Sequence, residues 1–264
     1  IYISLPAMIL LQVPKLTFSM DTLIPIIISW SVMSISVILI LLLSKFFCFS
    51  KQITGSLLLV SILTNTSFMG IPIIHAYMGE SALAYVLVYD QLGTCIALAT
   101  YGTFIASYYS NKNQITFKII TLKVITFPPL ISLVVALFLT GIEFDPIILK
   151  VLSSFANTIV PIALVAVGLQ LQFKLPKEEI KPFSVALGVK LIFAPLIAIA
   201  ISKLFSWENQ ASIVSIMEAG MAPMITAGAI ASIAGLAPRL SSAIVGYGIL
   251  ISFFSTNILY RLVG

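Results

Sequence analysis

Long apolar stretches separated by short polar loops run the length of the chain. They cover about 1–14, 22–44, 52–78, 81–110, 119–141, 146–172, 182–203, 209–234 and 240–262. A run of about 20 apolar residues is long enough to cross a bilayer as a helix. The pattern therefore predicts nine membrane helices, the first of them short. An odd set that opens on Ile1 with an apolar run already under way is read as lacking one leading helix, which gives a plan of ten.

Two of the segments are interrupted by a polar patch carrying glycine and proline. One reads Thr64-Asn65-Thr66-Ser67-Phe68-Met69-Gly70-Ile71-Pro72, the other Glu218-Ala219-Gly220-Met221-Ala222-Pro223. In hydrocarbon every backbone amide must be satisfied internally, so a helix that breaks at membrane depth has to be surrounded by protein or by a watery cavity. Paired breaks in the two halves of a chain are the sequence pointer to a transporter's binding centre. A proline inside a helix removes one hydrogen bond and clashes with the preceding turn, at about 3 kcal/mol or more. Pro72 and Pro223 are accordingly expected to free backbone groups in mid-membrane, unless each is a simple kink healed by neighbouring helices.

Composition places the chain in the membrane. It is 60% hydrophobic and 9% charged, with a mean hydropathy of +1.15, whereas soluble domains carry roughly 25% charged residues. The net charge of +5 is spread over short loops and not gathered on one face, so it reports topology and points to no nucleic-acid partner. Alternate loops hold Lys45 and Lys51, then Lys112, Lys118 and Lys123, then Lys174, Lys177 and Lys181, then Arg239; the opposite side keeps Lys15, Lys150, Lys203 and Arg261. Positively charged loops lie inside. The loop 111–118 is thus expected in the cytoplasm and the C-terminus outside, in a multi-pass protein of the cell membrane. Cys48 and Cys95 form no disulfide framework or metal pattern and are read as packing residues.

With a leading helix restored, five helices per half give two halves of opposite orientation, an inverted repeat. The first repeat would occupy 1–110, the linker 111–118 and the second repeat 119–264. Weak internal similarity agrees. Ser4-Leu5-Pro6-Ala7 is similar to Ile159-Val160-Pro161-Ile162, and Val60-Ser61-Ile62 precedes the first break as Val214-Ser215-Ile216 precedes the second.

Two half-helix N-termini meeting at a crossing would each bring about half a positive charge together with unpaired amides, a place suited to an anion. Asn65, Thr66, Ser67 and Gly70 lie beside it in the sequence. An acid at the depth of Glu218 costs roughly 2.5 kcal/mol even on lenient insertion scales, so it should face the interior, either protonated and bonded between helices or holding a cation. Asp90 is a second buried acid, and Lys190 is the only basic residue deep in a segment. The two could pair with each other, or Lys190 could reach Asn157 or a substrate carboxylate. Asn157 itself could contact a ligand or bridge helices. His75, just beyond the first break, is placed near the outer boundary.

These residues resemble the auxin efflux carrier family, the bacterial permeases related to plant PIN-type carriers and malate permeases. The likeness rests on Asn65-Thr66-Ser67-Phe68-Met69-Gly70-Ile71-Pro72, on Ala156-Asn157-Thr158-Ile159-Val160-Pro161-Ile162-Ala163-Leu164 with Gly168, on Glu218-Ala219-Gly220-Met221-Ala222-Pro223, and on Phe127-Pro128-Pro129-Leu130. It implies an all-α membrane protein of ten helices in two inverted repeats of five, related in fold to bile-acid sodium symporters. The broken helices would cross at Pro72 and Pro223, and a scaffold domain and a moving transport domain would interleave across both repeats. Asn65 and Asn157 would be substrate contacts, and a homodimer is implied. Ile225-Thr226 stands where many relatives have an asparagine, which leaves the substrate open.

The function expected is secondary transport of small organic anions, mono- or dicarboxylates, by alternating access. Substrate contacts are assigned to Asn65, Thr66, Ser67, Gly70, Pro72, Asn157 and Pro223, and coupling to Glu218, Asp90 and Lys190. No cofactor and no metal is expected beyond a coupling proton or sodium ion. The alternatives are a sodium-coupled symporter of the bile-acid type and a solute sensor that does not transport. With one histidine, no His-Glu metal motif and no G-x-S-x-G turn, the chain offers little from which to build an enzyme.

Overall fold

The computed structural model describes residues 3–15, 20–110, 126, 128–142, 144–162, 165 and 177–264. The expected linker 111–118, Phe127, the pair Ala163-Leu164 and Gly168 lie outside the described residues. Within them the regular structure is helical, and one isolated β-bridge is the only strand-like pairing.

The helices in chain order are α1 (Ser4–Gln12), α2 (Met20–Phe46), α3 (Lys51–Val60), α4 (Ile71–Met78), α5 (Leu83–Val88), α6 (Thr103–Tyr109) and α7 (Pro128–Phe138). They continue with α8 (Pro146–Ala156), α9 (Ile180–Gly188), α10 (Ala194–Leu204), α11 (Gln210–Ala219), α12 (Ile225–Ile233) and α13 (Pro238–Val263). Wider π-helical turns occupy Thr66–Gly70, Tyr89–Cys95, Leu98–Gly102 and Val189–Phe193. Four continuous helical stretches, 21–46, 80–109, 180–204 and 238–263, are long and apolar enough to cross a membrane.

Local chemistry sets the ends. Ser50 accepts from the Ile53 amide at 3.3 Å to cap α3, Asp145 accepts from Ile147 at 2.8 Å to cap α8, and Asn209 accepts from Ser212 at 3.0 Å to cap α11. Each satisfies a first-turn amide that the helix itself leaves open. Pro146 comes directly after its cap, where a missing N–H removes no bond.

Packing sorts the described helices into two groups. In one, α1 lies against α7 and α8; in the other, α2 packs on α10 and α11, while α3, α12 and α13 pack on one another. The groups meet where α1 and the turn after it touch α5 and where α7 touches the wide turn Tyr89–Cys95. Cys95 is buried, as a packing residue should be, but Cys48 is exposed, in the turn that closes α2 at φ 54°. The packing reading of Cys48 is corrected accordingly.

Candidate functional site

Both interrupted segments are broken, and they cross. Helix α3 stops at Val60 and helical structure resumes at Thr66; α11 stops at Ala219 and α12 begins at Ile225. Thr64 and Pro223 face each other in an antiparallel bridge. The Asn65 amide donates to the Ala222 carbonyl and the Met224 amide to the Leu63 carbonyl, both at 2.9 Å. The unwound backbone of each helix is thus satisfied by the other, which is what allows irregular structure in a buried place.

The crossing does not involve Pro72. That proline lies inside the helical stretch that begins at Thr66, just after its wide turn, and Thr64 faces Pro223 in its stead. The expectation that Pro72 opens the first break is corrected. Pro223 lies in the unwound stretch after α11, whose last residue, Ala219, leaves its carbonyl without an amide from within the helix.

Lys190 takes up that carbonyl. It reaches the crossing from the π turn before α10, is 1% exposed, and donates from Nζ to Ala219 O at 3.0 Å and to Thr64 Oγ1 at 2.5 Å. Asp90 has other partners. Its carboxylate accepts from the Thr66 hydroxyl and from Gln91 Nε2, the latter at 2.5 Å, and the Ser67 hydroxyl also faces it. The pairing of Asp90 with Lys190 considered from sequence is replaced by these two separate sets of bonds.

Glu218 is fully buried, and neither carboxyl oxygen has a hydrogen-bond partner among the described residues. It lies within electrostatic reach of Lys190 and Asp90. The carboxyl rests directly on Gly70: a Cβ built there would meet Glu218 Oε1, with Oε2 at 2.6 Å and Cδ at 2.7 Å. Gly70 is therefore what admits the acid to the crossing. Asn65 is 2% exposed, and its Nδ2 also lacks a partner among the described residues, as do Gln91 Oε1 and Thr94 Oγ1. Gln91 and Thr94 escaped the reading of the sequence, although both belong to the polar run around Asp90.

Among the described residues the first-turn amides after Asn65 and after Met224 receive no side-chain cap, so two uncapped helix N-termini lie at the crossing. Asn157 lies elsewhere. It is exposed and lines a cavity of about 420 Å3 with Gln12, Lys15, His75, Glu80 and Ser153, where α1 and α8 face α4 and α5. Among the described residues no three His, Cys, Asp or Glu side chains gather as a metal-ion site.

Broken helices that cross amid buried polar groups unpartnered among the described residues are the arrangement found at the binding centre of membrane transporters. Residues 1–260 match the family described as membrane transport protein, and the chain belongs to that auxin efflux carrier-like family. It is similar to an uncharacterized transporter of Methanocaldococcus jannaschii, with 28% identity over 230 residues, 84% of this chain and 73% of the relative. It is also similar to an uncharacterized transporter of Methanothermobacter thermautotrophicus, with 23% identity over 184 residues, 67% of this chain and 58% of that relative.

Proposed function

We propose that the chain is a secondary transporter of small organic anions, mono- or dicarboxylates, working by alternating access. The observation that carries this reading is the Asn65 side-chain amide, a buried donor without a partner among the described residues, set beside two uncapped helix N-termini. A buried unpaired donor is costly, and a carboxylate would satisfy it together with the open amides. Thr66, Ser67, Gly70 and Pro223 shape the same place. The group of α1, α7 and α8 serves as scaffold and the remainder as the moving body, in a plan of ten helices and two inverted repeats. With 111–118 cytoplasmic and the C-terminus outside, the cavity lined by Asn157, Lys15 and His75 opens outward and admits the anion.

The test is thermal denaturation of the purified protein against a panel of carboxylates, followed by uptake into vesicles. A binding carboxylate raises the apparent Tm saturably, because a ligand of the folded state alone stabilises it. A panel in which only amines or neutral solutes do so overturns the reading.

Glu218 carries the coupling in this proposal. An ionised carboxylate without a donor is costly in a dry crossing, so its charge must be balanced by a proton or a cation as the transporter cycles. Glu218→Gln is expected to lose gradient-driven accumulation by roughly fivefold or more while keeping substrate exchange across the vesicle membrane. Accumulation that responds to a proton or sodium gradient as before would remove Glu218 from the mechanism. The two oxygens of Glu218, without a partner among the described residues, also favour a second reading, a sodium-coupled symporter.

A further inference from the structure

Half-helix C-terminal ends and unwound backbone carbonyls at a transporter's crossing are the places that coordinate a coupling cation. Here that position is already filled. Ala219 is the last residue of α11, so its carbonyl lies at the negative end of that helix and receives no amide from within it. Thr64 is the bridging residue of the other broken helix. One nitrogen, Lys190 Nζ, contacts both, at 3.0 Å and 2.5 Å, with the Glu218 carboxyl within electrostatic reach. A carbonyl, a hydroxyl and a carboxylate are the hard oxygen donors that a small cation takes.

We propose that Lys190 is a tethered cation: its side-chain nitrogen stands in the coupling-ion position of the crossing, so that the folded protein needs no sodium ion there. Truncating the side chain leaves an oxygen-lined vacancy that a diffusible monovalent cation can enter. The inference rests on the transport reading only for its meaning in coupling, where it answers the sodium-coupled alternative. Its test needs no substrate, so its failure is distinct from a failure of the carboxylate reading.

The experiment compares apparent Tm in sodium, potassium and choline chlorides at equal ionic strength, for the natural protein, Lys190→Ala and Lys190→Met. The natural protein is expected to melt within about 1 °C in all three salts, since a cation that gains no affinity for the folded state shifts nothing. Lys190→Ala is expected to melt lower in choline and to recover by about 3 °C or more, saturably, in sodium or potassium. Lys190→Met, which fills the volume without charge, is expected to gain no such shift. The proposal is overturned if sodium alone stabilises the natural protein, or if folded Lys190→Ala ignores every cation. Lys190→Ala that folds in none of the salts also counts against it, because a free cation should replace the lost charge.

Discussion

Gly248→Ala is expected to destabilise the protein and to stop transport, although the substitution adds a single methyl group. Gly248 lies in α13 against the crossing; a Cβ there would meet Pro223 Cδ at 2.5 Å and Cγ at 2.8 Å, with Leu187 Cδ2 at 3.2 Å. The proline ring cannot rotate away, since its segment is pinned by the bonds from Asn65 to Ala222 and from Met224 to Leu63. Overpacking of this kind costs typically about 1–3 kcal/mol, which for a chain of this size lowers Tm by roughly 4–8 °C near the middle of that range. Gly188→Ala is the control, since a Cβ at that glycine meets nothing within 4 Å. Thermal denaturation of the two variants, with vesicle uptake in parallel, checks the contrast. Equal melting would show that α13 yields and that the contact does not constrain the crossing.

Asn65→Ala separates binding from folding. If Nδ2 donates to the substrate carboxylate, removing a hydrogen bond to a charged group is expected to weaken binding by about 10- to 100-fold. The empty protein should not suffer. Its Nδ2 has no partner among the described residues, so the substitution removes a buried unsatisfied donor, while the backbone bond from residue 65 to Ala222 is untouched. Tm without ligand is expected to hold or rise, and the ligand-induced shift to vanish. A fall of several degrees without ligand would make Asn65 a structural residue.

Four of the nine expected spans are matched among the described residues by helices long and apolar enough to cross a membrane, because burial in lipid demands unbroken apolar runs. The stretch 22–44 corresponds to Met20–Phe46 and 240–262 to Pro238–Val263. Both broken segments are visible too, since only a surrounded site tolerates polar patches such as Asn65-Thr66-Ser67 and Glu218-Ala219-Gly220. The place of the first break is not. Ser61 to Asn65 contains neither glycine nor proline and unwinds because Leu63 and Asn65 find partners in a segment about 160 residues away along the chain. Pro72, the conspicuous breaker, comes after the break, within the helical stretch that resumes at Thr66.

Side-chain partners are least legible. Lys190 stands out in the sequence as deep and basic, but its acceptor is the terminal carbonyl of another helix, and no spacing along the chain encodes that meeting. Asn157, which the resemblance makes a substrate contact, lines the cavity beside α1, a place its sequence neighbours do not reveal. Which group of helices a residue joins is decided by packing, and packing is invisible to a reading that moves residue by residue.

The wide turns at Thr66–Gly70, Tyr89–Cys95 and Val189–Phe193 carry Thr66, Asp90, Gln91, Thr94 and Lys190. Such a turn holds one residue more than the ordinary helix around it, and each residue added or removed rotates the downstream helix by roughly 100°. Deleting one amino acid from any of these turns would leave composition and hydropathy almost unchanged while swinging neighbouring side chains towards lipid. Chain length in these three places therefore matters to the crossing as much as the identity of its side chains.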